Sequence, residues 1–172
     1  MRLFMSVVWG LGLVVVGVIM ASAQSQVNFS GTWLLDKSQG DVQQLLGAGQ
    51  PVMNVQNASL SMVIEQRGTT LKVTRTLKNE GEEKHETHTY RTDGTETTNT
   101  GMRGETVLTK ASWHGPNLVV VSSRKLRIVM REFSINSRGV WSLSPDGKVL
   151  TIDAEVHSPR GDQRVKAVFD RQ

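Results

Sequence analysis

The chain has 172 residues, 38% of them hydrophobic and 21% charged, with no cysteine and a formal net charge of +4. That length suits one domain around a single core. The absence of cysteine excludes a disulfide-stapled fold and a lipid-modified N-terminal Cys, and basic residues scattered rather than striped argue against a nucleic-acid groove.

Met1-Arg2 opens the chain with positive charge, and Leu3 to Met20 is an uncharged apolar run of 18 residues. Ala21-Ser22-Ala23 then places small residues at both positions a signal peptidase reads. This pattern predicts a cleavable signal peptide over residues 1–23, cut between Ala23 and Gln24. The competing reading is an uncleaved anchor, because 18 residues just reach bilayer length; no basic residues flank the far side. Cleavage leaves residues 24–172 as a single domain with no membrane span. A small eukaryotic secreted domain would be disulfide-stapled, so the expected location is a bacterial periplasm or the medium. A monomer without a nucleic-acid partner is expected.

From Asn28 onward, period-2 patterning recurs at short intervals. Phe29, Gly31, Trp33 and Leu35 share one parity, as do Leu60, Met62 and Ile64, and then Leu71, Val73, Arg75 and Leu77. His85 to Arg91 is Thr-rich and contains Tyr90, and Thr95 to Thr100 is Thr and Asn. Val107, Ala111 and Trp113 share a face. Leu118 to Val121, Leu126 to Ile135 and Val140 to Leu143 follow. Leu150, Ile152, Ala154 and Val156 alternate, as do Val165, Ala167 and Phe169. Turn sequences separate these runs, of which Ser144-Pro145-Asp146-Gly147 is the sharpest, with Pro presetting φ and Gly taking the left-handed position. One interval breaks the rhythm: Ser38 to Asn57, where a short helix is predicted from about Gly40 to Leu46. Gaps this short imply an antiparallel meander. The expected fold is therefore an all-β, up-and-down antiparallel barrel of eight to ten strands with one short helix after the first strand, closed to remove its edges.

Phe29-Ser30-Gly31-Thr32-Trp33 at the first strand resembles the Gly-x-Trp motif of lipocalins. Ala111-Ser112-Trp113, the Trp141 to Gly147 hairpin and Val168-Phe169-Asp170-Arg171 extend the resemblance to bacterial secreted lipocalin-like (calycin-type) proteins. It implies that Trp33 lies across the closed end of the barrel with Arg171 packed on it, a structural plug. Parity permits this, since Trp33 shares a face with Phe29 and Leu35, and Arg171 with Val165, Ala167 and Phe169. The chain departs from lipocalins in lacking a disulfide, a central Thr-Asp-Tyr and a long C-terminal helix. A helix after the first strand is instead similar to fatty-acid-binding proteins.

Four residues are candidates for ligand contact. Arg75 shares its face with apolar residues, so it either holds an anionic head group by charge-assisted hydrogen bonds or reaches solvent over its aliphatic stem. Tyr90, Trp113 and Trp141 either line a cavity or form core. His85 and His88, three apart on a strand, point to opposite faces, and no third ligand completes a metal site. No nucleophile elbow, carboxylate pair or phosphate loop is present. A non-enzyme with no cofactor and no metal is expected. Its function would be to bind a small, apolar or amphipathic, lipid-like molecule inside the barrel, oriented by inward polar groups such as Arg75 and Tyr90, with Ser38 to Asn57 as lid or plug. The alternative is a filled barrel acting as an envelope accessory domain.

Overall fold

The computed structural model describes residues 27–41, 57–128 and 131–172. Its ten antiparallel strands are β1 (Gly31–Leu35), β2 (Ser59–Arg67), β3 (Thr70–Asn79), β4 (Glu82–Arg91), β5 (Thr97–Thr100), β6 (Thr106–His114), β7 (Asn117–Ile128), β8 (Arg131–Leu143), β9 (Val149–Ser158) and β10 (Gly161–Arg171). They form one sheet in the order β4-β3-β2-β1-β10-β9-β8-β7-β6-β5. Every neighbour is a chain neighbour except β1 and β10, whose pairing (Trp33 opposite Arg171) joins the first strand to the last. The result is a meander curled into a nearly closed barrel. The signal segment 1–23 and most of the predicted helix lie outside the described residues. Gly40 and Asp41 are described and lie along β10: Asp41 N–H donates to the Lys166 carbonyl (2.7 Å), and its carboxylate accepts from Lys166 N–H (2.8 Å). Among the described residues no helix is long and apolar enough to cross a membrane.

Alternation decides which side chains face inward. Met62 and Ile64, Leu71 and Val73, and Val107 and Ala111 are buried, while their strand neighbours are exposed or half-buried. Two expectations need correction. Leu118 to Val121 and the start of Leu126 to Ile135 belong to one long strand, β7, and the rest of that second run joins Val140 to Leu143 in β8. The register runs unbroken from Leu118–Trp141 to Ile128–Arg131. No Gly, Pro, Asn or Asp punctuates this stretch before Asn136, so sequence alone did not show where the strand reverses.

One end of the barrel is sealed. Trp33 is fully buried, and its Nε1–H donates to the Phe29 carbonyl (3.0 Å). The Arg171 guanidinium lies 4.3 Å from the centre of the Trp33 ring. It is pinned there by donating from Nη1 to the Ser30 carbonyl (2.6 Å) and from Nε to the Gly147 carbonyl (2.7 Å). The Ser144–Gly147 turn is thus part of the plug. Gly147 takes a φ of 69° as its N–H bonds back to the Ser144 carbonyl, and Asp146 accepts from the Ser144 hydroxyl and the Lys148 N–H. Gly31 explains the motif itself. Its φ is +147°, and an added Cβ would sit 2.6 Å from Arg171 Nη1, so a side chain there would push the guanidinium off the indole.

The remaining seam lies between β4 and β5, which end the sheet on its two sides. Side-chain chemistry stands in for a backbone ladder. Asn99 Oδ1 accepts from Thr89 N–H (2.7 Å), while Asn99 Nδ2–H donates to the Thr89 carbonyl (3.2 Å). One buried amide thus imitates a paired residue. Replacing it by Leu removes two hydrogen bonds, each with a net worth of about 0.5–1.5 kcal/mol. Asn99→Leu is expected to speed hydrogen exchange of the Thr89 amide well beyond any change at Val73 in the sheet interior. Equal protection at both sites would contradict this role.

Candidate ligand cavity

Among the described residues, the side chains that fill the interior gather near the sealed end. There Phe29, Trp33, Leu71, Val73, Leu118 and Leu150 make a close-packed layer. Phe29 meets Trp141 edge to face at 6.1 Å, and Trp141 meets Tyr90 in the same manner at 6.0 Å. Beyond these rings the barrel opens into a cavity of about 450 Å³. Its apolar wall comes from Leu60, Met62, Val120, Trp141, Ile152 and Phe169. On β8 to β10 the inward positions Gly139, Ala154 and Ala167 are small, and that leaves the space open. At the far end the lining turns charged: Lys84, Arg103 and Arg124 with Glu105, which pairs with Arg124 at 3.6 Å.

Of the four candidate contacts, Arg75, Tyr90 and Trp141 line the cavity. Trp113 does not. Its ring stacks on Phe29 at 5.7 Å with a 15° tilt, at the sealed end, and its buried Nε1–H has no acceptor. Parity had correctly put it on the inner side of β6, but parity says nothing of depth along the barrel. His85 and His88 point to opposite sides of β4, as their spacing requires: His85 bonds the exposed Thr76 hydroxyl (3.0 Å), and His88 is buried in the cavity wall.

The polar part of this wall is built from alternate residues of β3 and β4. Arg75 Nη1 donates to Glu86 Oε1 (3.1 Å) and Arg75 Nη2 to the Tyr90 hydroxyl (3.1 Å). Burial opposes the charged guanidinium, but Tyr90 and Glu86 outweigh it and hold its pKa above the ordinary value. His88 Nδ1 lies 3.4 Å from Arg75 Nη1 and 3.3 Å from the Tyr90 hydroxyl. A guanidinium only donates, so Nδ1 is the acceptor, and the proton of the neutral ring sits on Nε2. Burial pushes the His88 pKa down and Arg75 adds to this, while Glu86 and the Thr100 backbone favour the charged ring without a formed hydrogen bond to Nε2. Glu86 and His88 were not singled out as ligand contacts from sequence. The signal was there, since both share the parity of Tyr90, but the strand read as polar throughout.

The depressed His88 pKa has a consequence for stability. Between the ordinary value of 6.5 and the lower folded value, the unfolded chain binds more protons. Stability is therefore full above about pH 6.5 and declines as pH falls through that window. Asp36, Asp93 and Asp146 are held below the ordinary carboxylate value, chiefly by hydrogen bonds from Ser38, Arg91 and Ser144 respectively. Their contributions are lost only at more acid pH. The melting temperature is expected to fall from pH 7.5 to pH 5, and His88→Phe to flatten that slope. A slope that survives the substitution unchanged would assign it to other groups.

No family model and no curated protein sequence matches this chain. Solved structures do match in fold. A zebrafish ileal bile acid-binding protein complexed with cholic acid is similar with a TM-score of 0.60 at 14% identity, covering 84% of this chain and 98% of that one. A secretory abundant heat soluble protein from Ramazzottius varieornatus gives 0.55 at 16% identity, covering 83% and 94%. The Echinococcus granulosus fatty-acid-binding protein 1 gives 0.51 at 10% identity, covering 83% and 96%. At such identities the likeness shows the fold alone: a ten-stranded, antiparallel up-and-down β-barrel.

Proposed function

We propose that this protein binds a small apolar or amphipathic, lipid-like molecule inside its barrel and carries no catalytic activity. The observation that supports this is the cavity. Its volume of about 450 Å³ falls in the range of small-molecule sites, on the order of 300–1,000 Å³. Its wall has the usual mixture for such a site, mostly apolar with a few placed polar groups. A barrel serving only as an accessory domain has no use for Gly139, Ala154 and Ala167 on one inner wall, where larger side chains would complete the core. The proteins of like fold include ones whose names record bile acid and fatty acid binding, which fits this reading. We place the protein outside the cytoplasm, after cleavage at Ala23, on the strength of the N-terminal sequence pattern. A host with a periplasm accounts best for the lack of cysteine.

Nile red, a neutral dye whose emission shifts to the blue in apolar surroundings, tests the binding directly. One equivalent is expected to bind with a blue shift and to be displaced by a twelve-carbon lipid. A titration without a shift, or a shift that no lipid of a panel reverses, would count against an interior site.

A further inference from the structure

The charge on Arg75 is already met. Its two terminal nitrogens are engaged by Glu86 and Tyr90, so the seat an anionic head group would take is held by the chain's own carboxylate. Beside it lie a buried nitrogen without a partner and a carboxylate oxygen that Arg75 does not use. His88, only 6% exposed, carries a buried Nε2 with no hydrogen-bond partner. Glu86 Oε2 lies 3.6 Å from it, beyond a hydrogen bond, and Glu86 uses its other oxygen for Arg75. Both residues line the cavity. An unbonded donor and an acceptor at that separation are within reach of a single oxygen atom that accepts from the first and donates to the second. A hydroxyl does both. A carboxylate cannot donate and would be set against Glu86, and a hydrocarbon would leave the buried His88 Nε2–H unpaired at its desolvation cost.

We infer that the β3–β4 wall recognises a neutral hydroxyl group, so that the ligand is a hydroxylated apolar molecule rather than a free fatty acid. This rests on the interior-binding reading above and specifies its ligand class. Tyr90 and Arg75 act as positioning residues, because they engage His88 Nδ1 and so leave its proton on Nε2, the nitrogen beside Glu86 Oε2. Discrimination of this kind is steep, because a site built to bond a hydroxyl penalises the analogue that lacks it.

The test uses dodecan-1-ol, dodecane and dodecanoate as competitors of Nile red at pH 7.5. The native chain is expected to prefer the alcohol over the alkane and over the carboxylate, each by about tenfold, which is about 1.4 kcal/mol. His88→Phe is expected to weaken the alcohol about tenfold and to leave the alkane within about twofold. The ranking in the native chain stands even if the variant fails to fold. Equal affinity for alcohol and alkane, with a water molecule satisfying the pair, overturns the inference while leaving interior binding intact. So does preference for dodecanoate, or an alcohol preference that persists in folded His88→Phe. Failure of all three to bind removes both this inference and the proposed function.

Discussion

Trp33→Ala is expected to lower the unfolding free energy by about 3–5 kcal/mol, the largest single loss in the barrel. The indole is fully buried. Its removal leaves a cavity in the layer that closes the end, strips the Phe29 carbonyl of its 3.0 Å hydrogen bond, and leaves the Arg171 guanidinium without the ring it covers. The aromatic layer above it, Phe29 against Trp113 and Trp141, loses its support. Chemical denaturation measured on the native and substituted chains reads the loss. Gly31→Ala should produce a smaller version through a different route, by displacing Arg171 Nη1, and Arg171→Lys should fall between native and Trp33→Ala because it keeps a charge but not the fork that reaches both Ser30 and Gly147. A Trp33→Ala change of less than about 1 kcal/mol would mean that the sealed end contributes little and that the sheet pairing of β1 with β10 is sufficient. Such a small effect is not expected of a large, fully buried side chain.

Ala154→Phe is expected to abolish ligand binding while leaving the fold intact. Ala154 sits opposite Gly139 on β8 and Val165 on β10, facing the cavity. A phenyl ring there enters existing space rather than a packed core, so overpacking strain is avoided, and filling a void tends to stabilise. The melting temperature should hold or rise slightly. Affinity for Nile red should drop at least tenfold, or about 1.4 kcal/mol. A variant that stays folded and binds as the native chain does would place the dye somewhere other than the interior.

The two effects separate the ends of the barrel. The sealed end concerns stability and the open half concerns binding, and they were unequally legible in the sequence. Alternation and turn residues located nearly every strand, because a half-buried strand must alternate and a tight turn needs Gly, Pro or Asp at fixed places. Trp33 and Arg171 were placed on compatible faces by parity, with the family likeness supplying the reason to look. Arg75 followed from parity too, while Tyr90 and Trp141 were named for being aromatic and not for the face they share. Trp113 shows the limit: a period of two tells inside from outside, not the floor of a cavity from its wall. Glu86 went unnamed and His88 was weighed only as a metal ligand, because a strand of charged and hydroxyl residues carries no apolar stripe to announce its inner face. Only the pairing of Arg75 with Glu86 across β3 and β4 makes their burial affordable, and that register is a property of the folded sheet. Asn99 escaped notice likewise, since a Thr-Asn run gives no hint that one amide will stand in for a missing ladder.

Native mass spectrometry of the protein purified gently from its own host tests interior binding most directly. The expected spectrum shows the chain with one small-molecule adduct that is lost on denaturation, and Ala154→Phe prepared in the same way shows the chain alone. A bare native chain whose interior also fails to take up Nile red would contradict the account.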